Sequence, residues 1–100
     1  MTHFNKLTPA QAERLAVLLE ELGEAQQCIG KILRHGYDSY NPFDTMKVDN
    51  RTSLSNELGD VLASIQMLVD KKDQSFSLLE EFKKDKLRRV KKYLHHDGED

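Results

Sequence analysis

Apolar residues recur at steps of three and four through most of this chain, and that spacing most limits what it can fold into. Leu15, Leu18, Leu22, Ala25, Ile29 and Ile32 trace one stripe. Leu54, Leu58, Val61, Ile65 and Leu68 trace a second, and Leu79, Phe82, Leu87, Val90 and Leu94 a third. Such steps place side chains on one face of an α-helix. No stretch of convincing length alternates with the period of two that a strand needs, so the expected class is all-α, an antiparallel helix bundle. Local signals set the ends. Thr8-Pro9-Ala10-Gln11 offers a capping hydroxyl, a proline at the first helical position and a glutamine to complete a capping box. Arg34-His35-Gly36 puts basic residues and a stop glycine at the other end. The second helix is expected from near Ser53 to about Asp70. The third is expected from Ser75 or Ser77, with Ser77 and Glu80 as its capping box, to about His95.

Between the first two helices, residues 36–52 show no periodicity and carry Asn41, Pro42, Asn50 and several aspartates, so they read as a long loop. Tyr37, Tyr40 and Phe43 lie in it. They suit either stacking on a base or covering the ends of a helix bundle, and the second is the plainer reading. Residues 8–95 form the core of a single domain spanning 1–100, with 96–100 a polar tail. Three to four helices of this size leave faces uncovered, so completion of the bundle by oligomerisation is expected.

Composition narrows the function. Lys+Arg number 15 against 17 Asp+Glu, a net charge of −2, which argues against a dedicated nucleic-acid binder. No apolar run approaches the roughly 20 residues that span a bilayer. No charged segment leads into an apolar one as in a secretory signal. The lone Cys28 fits a reducing compartment. A cytoplasmic protein without membrane attachment is therefore expected.

The first two helices share a phrase. Leu18, Glu21, Leu22 and Gly23 correspond to Leu54, Glu57, Leu58 and Gly59; Glu24 corresponds to Asp60, and Ile29 to Ile65. At ~100° per residue, positions three apart stand ~60° apart on the helix surface. Glu21 therefore sits at the edge of its stripe with Glu24 just beyond it, and Glu57 and Asp60 stand in the same relation to theirs. Packing the two stripes brings four carboxylates together. Such a cluster is costly unless a cation neutralises it, and hard divalent ions with oxygen ligands do so. With no histidine in either phrase, Mg2+ or Mn2+ is expected rather than iron or zinc. Gly23 and Gly59, each between two acids, suggest close approach of a backbone or ligand. The opposing reading is a solvated acidic face.

Glu20-Glu21-Leu22-Gly23-Glu24 followed by Glu57-Leu58-Gly59-Asp60 resembles the Glu-Glu-x-x-Glu … Glu-x-x-Asp signature of the MazG-like all-α nucleoside triphosphate pyrophosphatases. That superfamily includes dimeric dUTPases and phosphoribosyl-ATP pyrophosphatases. The resemblance implies Mg2+-dependent hydrolysis of a nucleoside triphosphate to monophosphate and pyrophosphate. It assigns Glu21, Glu24, Glu57 and Asp60 to the metal and Glu20 to water activation. Asp85-Lys86-Leu87-Arg88-Arg89 resembles a later family phrase, which makes Lys86 and Arg89 candidates for the triphosphate, although Lys84 stands where many members have Asn. That run is equally a solvated basic face. Lys31 continues the Glu21–Glu24 line and is a further phosphate candidate, whereas Arg34 reads as exposed and His35 as a helix cap. The expected partners are a nucleoside triphosphate and a second copy of the chain, in a homodimer or homotetramer. The alternative is a non-catalytic helical adaptor that binds an acidic partner or RNA through its basic third helix.

Overall fold

A computed structural model describes residues 4–99. Three α-helices follow in order, α1 (Pro9–His35), α2 (Asn50–Asp70) and α3 (Phe76–Val90), with a 3₁₀ turn over Lys91–Tyr93 and no strand among the described residues. The all-α class expected from the periodicity is the one observed. Each helix begins on a side-chain cap, because the first backbone amides have no partner within the helix. Thr8 and Gln11 form the reciprocal box, Gln11 N donating to Thr8 Oγ1 at 3.1 Å and Thr8 N to Gln11 Oε1 at 2.9 Å. α1 stops at Gly36, whose φ of 89° is open to glycine at little cost.

Two boundaries differ from expectation. α2 starts at Asn50, three residues before Ser53, because Asp49 caps it by accepting from Thr52 N at 2.8 Å. α3 is capped by Ser75, which accepts from Leu78 N at 3.3 Å. The Ser77–Glu80 box does not form. Ser77 Oγ bonds Ser75 Oγ at 3.0 Å, and Glu80 pairs with Lys83 at 2.9 Å. α3 ends at Val90, and only the short 3₁₀ turn carries helical backbone further towards His95.

α1 and α2 run antiparallel as a hairpin. Arg14, near the start of α1, bonds Asp73 just after α2, with Nε–Oδ2 at 2.7 Å and Nη2–Oδ1 at 3.2 Å. At the other end, Arg51 N donates to Tyr37 O at 2.9 Å. The Arg14–Asp73 fork is well shielded, its side chains 16% and 14% exposed. The hydrogen bond from Arg14 holds the Asp73 carboxyl below its usual range. An aspartate with a lowered folded-state pKa contributes stability above its unfolded value of about 3.9, and loses it as pH falls through the folded value. Asp73→Asn is therefore expected to melt below the wild type at pH 7, with the gap closing on acidification below about pH 4 in thermal scans.

The inward faces differ from the stripes drawn on the sequence. Leu18, Ala25 and Ile32 turn inward on α1, and Leu54, Val61, Ile65 and Leu68 on α2. Leu15, Leu22, Ile29 and Leu58 stay 42–45% exposed, and Glu21, Glu24, Glu57 and Asp60 are half-buried at the seam instead. The stripe on α1 is broader than one neighbouring helix can cover. Ala25 and Ser64, both small, are buried along the seam. Gly23 and Gly59 are not sites of close approach in this chain: a Cβ at either would meet nothing within 4 Å.

α3 packs along neither α1 nor α2, and its Phe76, Leu78, Phe82 and Leu87 are exposed. The radius of gyration is accordingly 17.3 Å, against about 13 Å for a compact chain of this length.

Candidate metal centre

The shared phrase of α1 and α2 meets itself across the seam. Antiparallel packing sets Glu21 and Glu24 against Glu57 and Asp60, and each residue offers a carboxylate oxygen within 4.8 Å of the other three. The four expected metal-ligand positions are thus brought together by the fold. Glu21 Oε2 and Glu57 Oε2 are buried with no hydrogen-bond partner.

The electrostatics of the cluster are unfavourable as they stand. Burial pushes the Glu21 carboxyl up, and the charges of Glu24 and Asp60, a hydrogen bond with Glu24 and the charge of Glu57 add to the rise. Glu57 is raised foremost by a hydrogen bond with Glu24, then by burial and by the charges of Glu24 and Asp60, against a weaker opposing bond from Asn56. Like charges share a partly dry space, which disfavours ionising all of them together. Orphaned acceptor oxygens on converging carboxylates are what a hard divalent cation satisfies. The donor set, oxygen alone with no nitrogen or sulfur, suits Mg2+ or Mn2+.

Beside the cluster, a cleft of about 780 Å³ opens at the loop end of the hairpin. Glu24 and Glu57 form its inner edge, Cys28, Lys31, Arg34 and His35 its α1 wall, and Ser39, Tyr40, Asn41, Pro42, Asp44 and Val48 the loop wall opposite. The loop is built rather than slack. An isolated antiparallel bridge joins Tyr40 to Asp49. Asn50 N donates to Ser39 O at 2.9 Å, and Asn50 Nδ2 to Gly36 O at 3.0 Å. Inside it, Asp44 accepts from Met46 N and Val48 N at 3.0 and 3.2 Å, and Asn41 from Phe43 N at 3.0 Å. These are the turns that Asn and Asp form with their own backbone. The aromatics do not cap a bundle end. Phe43 is 91% exposed, Tyr40 lines the cleft, and Tyr37 lies 4.3 Å beneath the Arg51 guanidinium.

Other candidates fall differently. Lys31 lines the cleft as its place on the α1 line suggested. Glu20 is exposed and outside the four-oxygen set. Lys86 and Arg89 sit on α3, away from the cleft, and Arg89 is held by Asp85 at 2.6 Å. The sequence places Arg34 only as exposed and residues 36–52 only as a long loop whose aromatics could stack on a base; the structure adds that both line the cleft beside the cluster. The signal for Arg34 was its position one turn beyond Gly30, flanking the Lys31 line; the loop wall left no periodic trace.

The MazG nucleotide pyrophosphohydrolase domain matches residues 10–95, nearly the whole chain. The chain belongs to the MazG family. Searches of curated proteins and of solved structures found no match to it. The MazG match covers both acidic phrases, the loop between them and α3, so cluster and cleft both lie within the family domain. No helix among the described residues is long and apolar enough to cross a membrane.

Proposed function

We propose that this MazG domain is a Mg2+- or Mn2+-dependent nucleoside triphosphate pyrophosphohydrolase that cleaves NTP or dNTP to the monophosphate and pyrophosphate. A cytoplasmic role in nucleotide-pool house-cleaning, as a homodimer or homotetramer, is part of the same reading. The observation that carries it is the convergence of Glu21, Glu24, Glu57 and Asp60 with two buried oxygens left unsatisfied. These four residues would hold the cation. Bound there, a divalent ion would offset phosphate charge and make water a better nucleophile. In the hydrolysis, water attacks phosphorus, the α–β anhydride bond breaks, and pyrophosphate leaves with the bonding electron pair. Glu20, beside the ligand set and open to solvent, is assigned to orient the water and accept its proton. Lys31 lies along the cleft for phosphate, and Lys86 and Arg89 are proposed to serve a site only through assembly with another copy, since α3 stands off the hairpin of its own chain.

Support for assembly comes from the outer line of α1. Leu15, Leu19, Leu22, Ile29 and Leu33 are all exposed along one face, and faces of this kind mark protein contacts. The experiment is a panel of canonical and damaged triphosphates with Mg2+ or Mn2+, followed for pyrophosphate. Release that stops with EDTA is expected; no release from any triphosphate rejects the reading. The freely standing basic α3 favours one competing reading, an adaptor for an acidic partner or RNA. Salt-sensitive RNA binding that survives Glu57→Gln, without pyrophosphate release, is the outcome that selects it.

A further inference from the structure

We propose that the substrate's polyphosphate lies along α1, with its terminal phosphates held by Arg34 and Lys31 and its nucleoside-proximal part at the carboxylate cluster. This rests on the pyrophosphohydrolase reading for the identity of the ligand and adds its direction in the cleft. Arg14, Arg51, Arg88 and Arg89 each have a carboxylate partner. Arg34 lines the cleft with no ion pair among the described residues, and Lys31 beside it has none either. Lys31 lies seven positions and Arg34 ten positions beyond Glu24, which is about 10 and 15 Å along the helix axis at 1.5 Å per residue. Side chains on a helix lean towards its N-terminus. Both basic groups therefore reach back towards Glu24, shortening that gap.

The cleft thus has an acidic end built for a cation and a basic end built for an anion. A nucleoside triphosphate bridged by a divalent ion has charges to match both. Across from the two cations, Asn41 uses its Oδ1 on Phe43 N, which leaves its amide nitrogen as a donor on the loop wall. Arg34 presents a planar fork of donors suited to phosphate oxygens. Its position in the last turn of α1 also offsets the helix dipole. That role alone would be served equally by a side chain turned to bulk solvent, whereas this one lines the cleft.

The test is calorimetric binding of inorganic triphosphate, with Mg2+ present, to the full chain. Lys31→Ala and Arg34→Ala are each expected to weaken binding about 10-fold, as loss of a charge-assisted hydrogen bond does. Lys72→Ala, at the far end of the hairpin, should leave it unchanged. Circular dichroism and the Mg2+-induced rise in melting temperature should match the wild type in all three. Inorganic triphosphate bound equally by wild type, Lys31→Ala and Arg34→Ala overturns the proposal, and so does weakened binding of a nucleoside monophosphate in place of triphosphate. Binding that depends on both cations while no nucleotide yields pyrophosphate upholds the anion site and rejects only the catalytic reading.

Discussion

Glu57→Gln is expected to abolish the response to magnesium while raising the melting temperature of the metal-free protein. The two effects have one cause. Glu57 shares its space with Glu21, Glu24 and Asp60, and without a cation those like charges oppose folding. An uncharged amide of nearly the same shape relieves part of that repulsion and can donate to Glu24. The same substitution removes a ligand, so affinity for Mg2+ should fall by more than about 100-fold, the upper end of what outer partners alone cost. For the wild type, magnesium at a hundred times its dissociation constant stabilises by about 2.7 kcal/mol, an upward shift of roughly 10 °C or more for a domain of this size. Melting curves in EDTA and in magnesium measure both effects. A variant that melts lower in EDTA and still responds to magnesium means the four oxygens do not act as a cation site. Glu20→Gln is the contrast. It should keep the magnesium shift and lose about 10²–10⁴-fold in turnover, the contribution of a positioned general base.

Leu68→Ala should give the largest loss of stability. Leu68 is 4% exposed at the seam, and its carbonyl accepts from Asp73 N at 2.8 Å and Gln74 N at 3.3 Å where the chain leaves α2. Truncating a buried leucine costs about 2–5 kcal/mol through lost burial and the cavity left behind, so the midpoint should drop by roughly 10 °C or more. The site falls with the hairpin that forms it, and magnesium should rescue part of the loss. Leu22→Ala, 44% exposed in the single chain, should cost much less. Equal losses at the two positions would mean that a second copy covers Leu22, and analytical ultracentrifugation of both variants would show it as a change in mass.

What the sequence disclosed, and what it hid, follows from how far each feature reaches along the chain. The cap at Thr8 is made by residues three apart, so four letters contain its whole mechanism. The acidic phrases are local too, and once two helices were expected to pack, their meeting followed. Ser75 and Ser77 are rival caps two residues apart, and choosing between them depends on backbone geometry that composition does not encode. Which side of α1 turns inward is settled by the number of neighbours present: periodicity makes a stripe wide enough for two partners look like one buried face, while only α2 is there to cover it. The cleft was hardest to see. Its loop wall is drawn in by bonds such as Asn50 Nδ2 to Gly36 O, fourteen residues apart, and no periodicity records a contact of that kind. Gly23 and Gly59 carried the opposite lesson, since their spacing suggested contact where the single chain has open space.

α3 spans 15 residues and buries no side chain fully. Isolated helices shorter than about 12–15 residues are marginal in water, and α3, with little packed against it, stands at that limit. Its backbone amides should therefore exchange with deuterium orders of magnitude faster than those at the seam around Leu68, as expected of a segment that opens independently of the rest. Slowing of that exchange as protein concentration rises would report directly on α3 finding a neighbour.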